Sequence, residues 1–341
     1  MTLQDRYYNQ LRRYVREKSW LEAYEMSQLI DQDIGWLKSH IQECARLVPK
    51  WRSQDTESDA QNRLTSCFPG CKLIQSDRLK GGKVSFILYK HRLCYQGQEI
   101  HVVEKVFVKS MEQMALLEEK LFKFVDHNLL SAPAFYGLYI NDDFTSAFYQ
   151  YIDGDPVKGR LENETCATDV LLKLWNVVPP NDVIECNKEI DFVDRFYNNF
   201  NRFSSLYPDL GDARNKILVL TNSFRDLPKR IIHQDILGNM IKALDDDDPE
   251  SLSVKEYKIY LIDWDKWFIS SIGSGVQIDT LDFERLENFV RRIYKGVLTE
   301  IFETEAALLQ AILIDNLSRA ACAKKDKSVM KFWLQAVYRY S

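Results

Sequence analysis

A histidine, an aspartate and an asparagine lie between two apolar runs in Ile231-Ile232-His233-Gln234-Asp235-Ile236-Leu237-Gly238-Asn239-Met240-Ile241. Beyond an acidic loop comes Ile259-Tyr260-Leu261-Ile262-Asp263-Trp264-Asp265. A carboxylate at the end of a buried strand is costly unless it meets a cation, so Asp263 asks for a metal or a basic partner. Two carboxylates and one amide oxygen are hard ligands, of the kind that suit magnesium carried in on a nucleotide's phosphates. Phosphoryl transfer uses such a set: a base to orient the attacking hydroxyl, an Asn and an Asp for the metal, and a lysine for the phosphates. A lysine of that type stands in Val102-Val103-Glu104-Lys105-Val106-Phe107, where an ammonium group within an apolar strand must find anions.

At these residues the sequence resembles the aminoglycoside phosphotransferase and choline kinase-like family, small-molecule relatives of the protein kinases, from roughly Lys72 to Val290. The resemblance implies ATP and Mg2+ as cofactors, Asp235 as catalytic base, Asn239 and Asp263 as magnesium ligands, and His233 as a support of the catalytic loop. It also implies a protein kinase-like fold of two lobes. One departure is visible: family members usually place the Asn five residues after the Asp, whereas Asn239 follows Asp235 by four.

Lys105 is the expected contact to the nucleotide's phosphates, with a glutamate on the next helix to orient it. Glu118 sits on that helix's apolar face with Met114, Leu121, Phe122 and Val125, and Glu119 is the alternative. Both acids also suit a plain surface role. In Leu79-Lys80-Gly81-Gly82-Lys83-Val84-Ser85, the amides of Gly81 and Gly82 are candidates for approaching phosphates, although the G-x-G-x-x-G form is missing and hairpins use Gly-Gly routinely. Tyr149-Gln150-Tyr151-Ile152-Asp153-Gly154 resembles the hinge that holds adenine through backbone groups, which places Gln150 and Tyr151 beside the base.

Protein kinases of the usual type carry a lysine two residues after the catalytic Asp and an Ala-Pro-Glu segment downstream. Leu237 occupies the first position and no Ala-Pro-Glu follows Asp263, so a small-molecule or glycan hydroxyl is the expected acceptor. The stretch from Cys166 to Arg230 and the helices after Asp279 would line its pocket. Trp264, Lys266 and Trp267 either border the cleft or pack under those helices. The shortened loop and missing glycine motif leave two other readings open: a non-catalytic kinase-like (pseudokinase) binding module and an atypical protein kinase. Asp245 to Asp248 read as a solvated hairpin loop, since adjacent carboxylates repel.

Positioning these residues calls for an α+β chain. From Lys72 onward the runs Val84 to Tyr89, Ile100 to Val108 and Ser146 to Ile152 carry strand signals, with turns at Gly81-Gly82 and Gln96-Gly97 and one helix through Met111 to Val125. After Pro156 the pattern is mostly helical, clearest at Val170 to Val177 and Phe192 to Tyr207. Ahead of the sheet, Ser19 and Glu22 form a capping-box signature, and apolar residues at Ala23, Met26, Ile30, Ile34, Leu37, Ile41, Cys44 and Val48 predict one long helix that Pro49 ends. That stripe suits docking on its own domain or a homodimer seam, with Gly35 interrupting it. Ser53 to Asn62 read as a linker. The expected organisation is a helical extension and linker at 1–66, a nucleotide-binding lobe at 67–153 and a mostly helical lobe at 154–341, with a cleft between the lobes.

Composition supports this and excludes other classes. A chain of 341 residues with 45% hydrophobic and 28% charged content buries a sizeable core and is neither collagenous nor disordered. A net charge of −5 argues against nucleic acid as a partner. No apolar run reaches the ~18 residues of a membrane span, and Met1 to Trp20 is too polar for a secretory signal. Seven cysteines without CxxC spacing suit reduced thiols and a cytoplasmic setting, and Cys67 with Cys71 lacks the second pair a zinc site needs.

Overall fold

The computed structural model describes residues 3–30, 34–81, 84–128, 132–157, 160–186, 227–233, 236, 238–244, 257–264, 267–272 and 282–297, with isolated positions 312, 332, 335 and 339. The chain divides into two units, Met1–His127 with Ala132–Asp153, and Asn128–Ser131 with Gly154–Ser341.

In the first unit four helices precede the sheet: α1 (Leu3–Glu17), α2 (Trp20–Gln28), α3 (Trp36–Gln54) and α4 (Glu57–Cys67). The predicted single helix is therefore two. Gly35, at a left-handed φ of +53°, starts α3 afresh, and the helix runs on past Pro49 to Gln54. What carries it past the proline is the docking of its last turn, where Trp51 is buried and its indole N–H donates to the Tyr89 hydroxyl. The predicted Ser53–Asn62 linker is likewise corrected: it comprises the end of α3 and the start of α4. The capping box forms at Thr56 and Asp59, where each side chain accepts from the other's backbone N–H, and Ser19 makes no such bond.

The sheet is antiparallel, in the order β1-β2-β3-β5-β4, from β1 (Lys72–Leu79), β2 (Ile87–Tyr95), β3 (Gln98–Val108), β4 (Phe135–Ile140) and β5 (Phe144–Gln150). Gln96 and Gly97 join β2 to β3 with φ of +52° and +80°, the doubly left-handed geometry that matches strand twist and that glycine adopts without steric cost. Alternation along β3 then divides the two faces. Val102, Val106 and Val108 pack under the N-terminal helices, in cores that include Leu11, Trp20, Ile41, Cys44 and Trp51 on one side and Leu64 and Phe68 on the other. The apolar stripe of α2 and α3 is thus covered by this chain's own sheet. Each large side chain buried there contributes about 1.5–3 kcal/mol. Lys105 points to the opposite face, where α5 (Glu112–Asn128) lays Phe122 against Phe135 and Tyr149.

The second unit opens at Gly154, where an added Cβ would come within 2.5 Å of the Lys242 carbonyl oxygen, so only glycine fits this approach. The short β6 (Asp155–Pro156) pairs there with β8 (Met240–Leu244), which pairs in turn with β9 (Tyr257–Leu261). A second ribbon joins β7 (Lys229–His233) to β10 (Trp267–Ser271). The helices described are α6 (Arg160–Asn176), α7 (Asn181–Cys186) and α8 (Phe283–Val297). Phe192 to Tyr207 and Asp245 to Asp248 lie outside the described residues. The α+β class read from the sequence is the class observed. Among the described residues no helix is long and apolar enough to cross a membrane.

Candidate functional site

In the first unit, Lys105 comes from the middle of β3, paired with Leu88 on one side and Ala147 on the other. Its ammonium lies 3.8 Å from Glu118 Oε2, and the two side chains are 12% and 1% exposed. Glu118 is thus the glutamate that meets Lys105. Glu119 faces outward and pairs with Lys123 at 3.2 Å, one helical turn on. The helical period explains the difference: Ala115, Glu118, Leu121, Phe122 and Val125 share the buried face of α5, and Glu119 falls beside it.

A third residue completes this cluster, one that the sequence places in the hinge-like segment with no role beside Glu118. The Tyr149 hydroxyl donates to Glu118 Oε2 at 2.5 Å, and the Lys105 ammonium lies 5.4 Å from the Tyr149 ring centroid. Tyr149 ends the apolar pattern of β5, and a buried phenol needs a hydrogen-bond partner. That need was the available signal. Tyr149 and Lys105 both meet the same oxygen of Glu118, so the phenol's hydrogen bond orients the carboxylate oxygen that faces the ammonium.

Gln150 and Tyr151 stand at the end of β5 with both backbone N–H groups donated inside the unit, to Ala134 at 2.8 Å and to His101 at 3.1 Å. The Lys90 ammonium lies 3.7 Å from the Tyr151 ring centroid. The N–H of Gly81 donates to the Arg16 carbonyl at 3.2 Å, and Gly82 lies outside the described residues. Cys67 sits against Gly137, and the Cys71 sulfur lies 3.4 Å from the Gln61 amide nitrogen.

The second unit brings together His233, Asn239 and Asp263 around one residue, Ile262. His233 ends β7 and is 2% exposed. Its Nε2 donates to the Ile262 carbonyl at 3.1 Å, which fixes the proton on that nitrogen because a carbonyl only accepts. The Ile262 N–H donates to the Asn239 carbonyl at 2.9 Å, continuing the β8–β9 ladder one step past the Met240–Leu261 pair. Asn239 and Asp263 therefore flank the same end of the hairpin. Asp263 itself has a φ of +62°, a left-handed conformation that Asp tolerates better than most residues and that is found disproportionately at functional positions.

Trp264 packs edge-on to His233, with centroids 4.9 Å apart, and donates its indole N–H to the Leu261 carbonyl at 2.8 Å. Trp264 and Trp267 are both buried, in keeping with a packing role. Asp235, Leu237 and Lys266 lie outside the described residues. An amide oxygen and a carboxylate at one hairpin end are the hard donors that magnesium takes beside phosphate oxygens, so the residues present fit that ion.

No protein-family model matches the chain, and no curated protein does. Among solved structures, the chain is similar to a spectinomycin phosphotransferase in complex with ADP and spectinomycin, at 11% identity over 81% of this chain and 96% of that one, with a TM-score of 0.44. It is also similar to a Plasmodium vivax ethanolamine kinase, at 9% identity over 100% of this chain and 94% of that one, with a TM-score of 0.45. An aminoglycoside-3'-phosphotransferase of type VIII shows 13% identity over 83% and 98%, with a TM-score of 0.38. What chemistry this chain performs is read from its own side chains.

Proposed function

We propose that this chain is an ATP- and magnesium-dependent phosphotransferase of protein kinase-like fold, acting in the cytoplasm, that moves the γ-phosphate of the nucleotide to a hydroxyl of a small molecule or glycan. The observation that carries the reading is the buried strand lysine Lys105 held by the helix glutamate Glu118, itself held by Tyr149. An ammonium oriented by a fixed carboxylate suits phosphate oxygens as a point charge.

Asn239 and Asp263 are the residues that would hold magnesium, and His233 keeps their hairpin end in place through Ile262. The ion, when bound, neutralises charge on the bridging phosphate oxygens. Asp235 accepts the hydroxyl proton of the acceptor, and Gln150 and Tyr151 border the base. Spectinomycin and ethanolamine, after which two of the similar solved enzymes are named, are among the first compounds to try.

The test is ADP release by the purified chain with Mg·ATP across a panel of hydroxyl-bearing metabolites. At least one acceptor should raise ADP release above the hydrolytic background by about tenfold or more, with one phosphate found on the acceptor per ADP formed. A panel without response, together with no rise in melting temperature at millimolar Mg·ATP, would remove the phosphotransferase reading, because a ligand that binds the folded chain must stabilise it.

A further inference from the structure

The capping-box glutamate read from the sequence makes no cap. The Ser19 side chain does not bond the start of α2, and among the described residues the Glu22 carboxylate has no hydrogen bond or ion pair. What Glu22 lines instead is a cavity of about 170 Å³, open to solvent, between the α1–α2 corner, the end of α3, β1 and the start of β2. An apolar cavity of about 150 Å³ is enough to take a benzene ring.

The inner wall of this cavity is aromatic. Trp20, Trp51 and Phe86 are buried there, with Trp20 stacked on Phe86 at 6.3 Å between centroids and Trp51 edge-on to it at 5.6 Å. Both indole N–H groups are used elsewhere, on the Phe86 carbonyl at 2.6 Å and the Tyr89 hydroxyl at 3.2 Å, and the Lys18 ammonium donates to the Ser85 carbonyl at 2.5 Å. What the rings offer to the cavity is therefore apolar surface. The rim carries charges of both signs. Glu17 pairs with Arg13 at 3.1 Å, and Arg78 donates to the Lys18 carbonyl at 3.1 Å. That leaves Arg52, in the last turn of α3, and Glu22: both are exposed, both line the cavity, and neither pairs with the other or with any described residue.

We propose that this cavity binds a small zwitterion with an apolar body, namely an α-amino acid with an aromatic or aliphatic side chain. The Arg52 guanidinium takes the carboxylate through its two-pronged donor face, the Glu22 carboxylate takes the ammonium, and the side chain lies against the rings of Trp20, Trp51 and Phe86. A ligand with only a negative charge would bring it beside Glu22, and one with only a positive charge would bring it beside Arg52, so a ligand carrying both fits the rim better than either. The proposal stands apart from the phosphotransferase reading. Its wall residues Trp20, Trp51 and Phe86 belong to the core under the N-terminal helices, on the face of the sheet opposite Lys105.

The experiment is calorimetric titration of the full chain with L-phenylalanine, beside three probes that each lack one part of it: phenylacetate without the ammonium, phenethylamine without the carboxylate, and glycine without the apolar body. L-phenylalanine should bind once per chain, and each partial probe about tenfold more weakly or worse. It carries no hydroxyl, so this is not binding as a phosphate acceptor. Arg52→Met and Glu22→Gln change exposed side chains and should leave the melting temperature of the free chain as it is. Each should weaken L-phenylalanine by about tenfold and flatten one preference: Arg52→Met should bind it no better than phenethylamine, and Glu22→Gln no better than phenylacetate.

Absence of saturable binding of L-phenylalanine and of L-leucine at millimolar concentration overturns the proposal. Wild-type affinity for L-phenylalanine in either variant overturns it too, because the amino acid would then sit elsewhere or be held without that charge. Phenylacetate binding as tightly as L-phenylalanine to the wild-type chain would make the cavity an anion site and has the same consequence.

Discussion

Asp235→Asn is expected to lower turnover by about 10²–10⁴-fold while leaving Mg·ATP affinity within about twofold of wild type. The split follows from the role: the base acts on the acceptor's hydroxyl proton, which the nucleotide does not carry. Asparagine preserves size and one acceptor oxygen but cannot take a proton at neutral pH. Single-turnover phosphate transfer beside equilibrium nucleotide binding separates the two quantities. Near-normal transfer in this variant would show that another group orients the hydroxyl. A parallel loss of nucleotide affinity would place Asp235 among the phosphate or metal contacts instead.

The second large effect concerns stability. Glu104 is fully buried on the face of β3 opposite Lys105. Its Oε1 accepts from Arg63 Nε at 2.7 Å and from the Ser146 hydroxyl at 2.5 Å, and its Oε2 meets His91 Nε2 at 2.8 Å. Arg63 lies on α4, so this carboxylate ties the helix to the sheet beneath it. Glu104→Ala leaves the buried Arg63 guanidinium with only the Asp55 carboxylate, 3.9 Å away, and removal of one partner from such a buried pair costs about 3–5 kcal/mol. Urea unfolding reads the loss directly, and a change under about 1 kcal/mol would make the network ornamental.

The same group predicts an acid response. Burial alone would raise the Glu104 pKa, but the hydrogen bond from His91 and the charge of Arg63 outweigh it and hold the value down at about 2, against an ordinary 4.5. A depressed carboxylate pKa contributes stability that is present above the unfolded value and is lost as pH falls through the folded one. Between pH 4.5 and 2 the wild-type chain should therefore lose on the order of 3 kcal/mol that Glu104→Ala does not have to lose. The two stability curves should converge at the acid end.

Much of the site was legible because its residues carry a cost. A lysine in an apolar strand, an acid on the apolar face of a helix and an aspartate at a strand end each need a partner, and that need points to Lys105, Glu118 and Asp263 before any coordinates. The geometry of partners distant in sequence was not legible in the same way. Tyr149 meets Glu118 across 31 positions of sequence and Lys18 meets Ser85 across 67, and nothing local announces either contact.

Local signals also misled where tertiary contacts decided the outcome. Ser19 has the right residue type for a cap, but its ψ of 70° departs from the extended conformation that aims a side chain at the helix start. Thr56, at ψ 163°, has that conformation and caps α4. Pro49 reads as a stop because its ring clashes with the preceding turn, and the burial of Trp51 beyond it outweighs that cost.

The proposed function gives Lys105 the nucleotide's phosphates and Asp263 its magnesium. Calorimetric titration with Mg·ATP of the wild-type chain, Lys105→Met and Asp263→Ala tests it most directly. The account predicts one binding site in the wild type and a loss of at least about tenfold in affinity in each variant, with the Asp263→Ala loss disappearing when magnesium is withheld from all three. Wild-type affinity in either variant would contradict it.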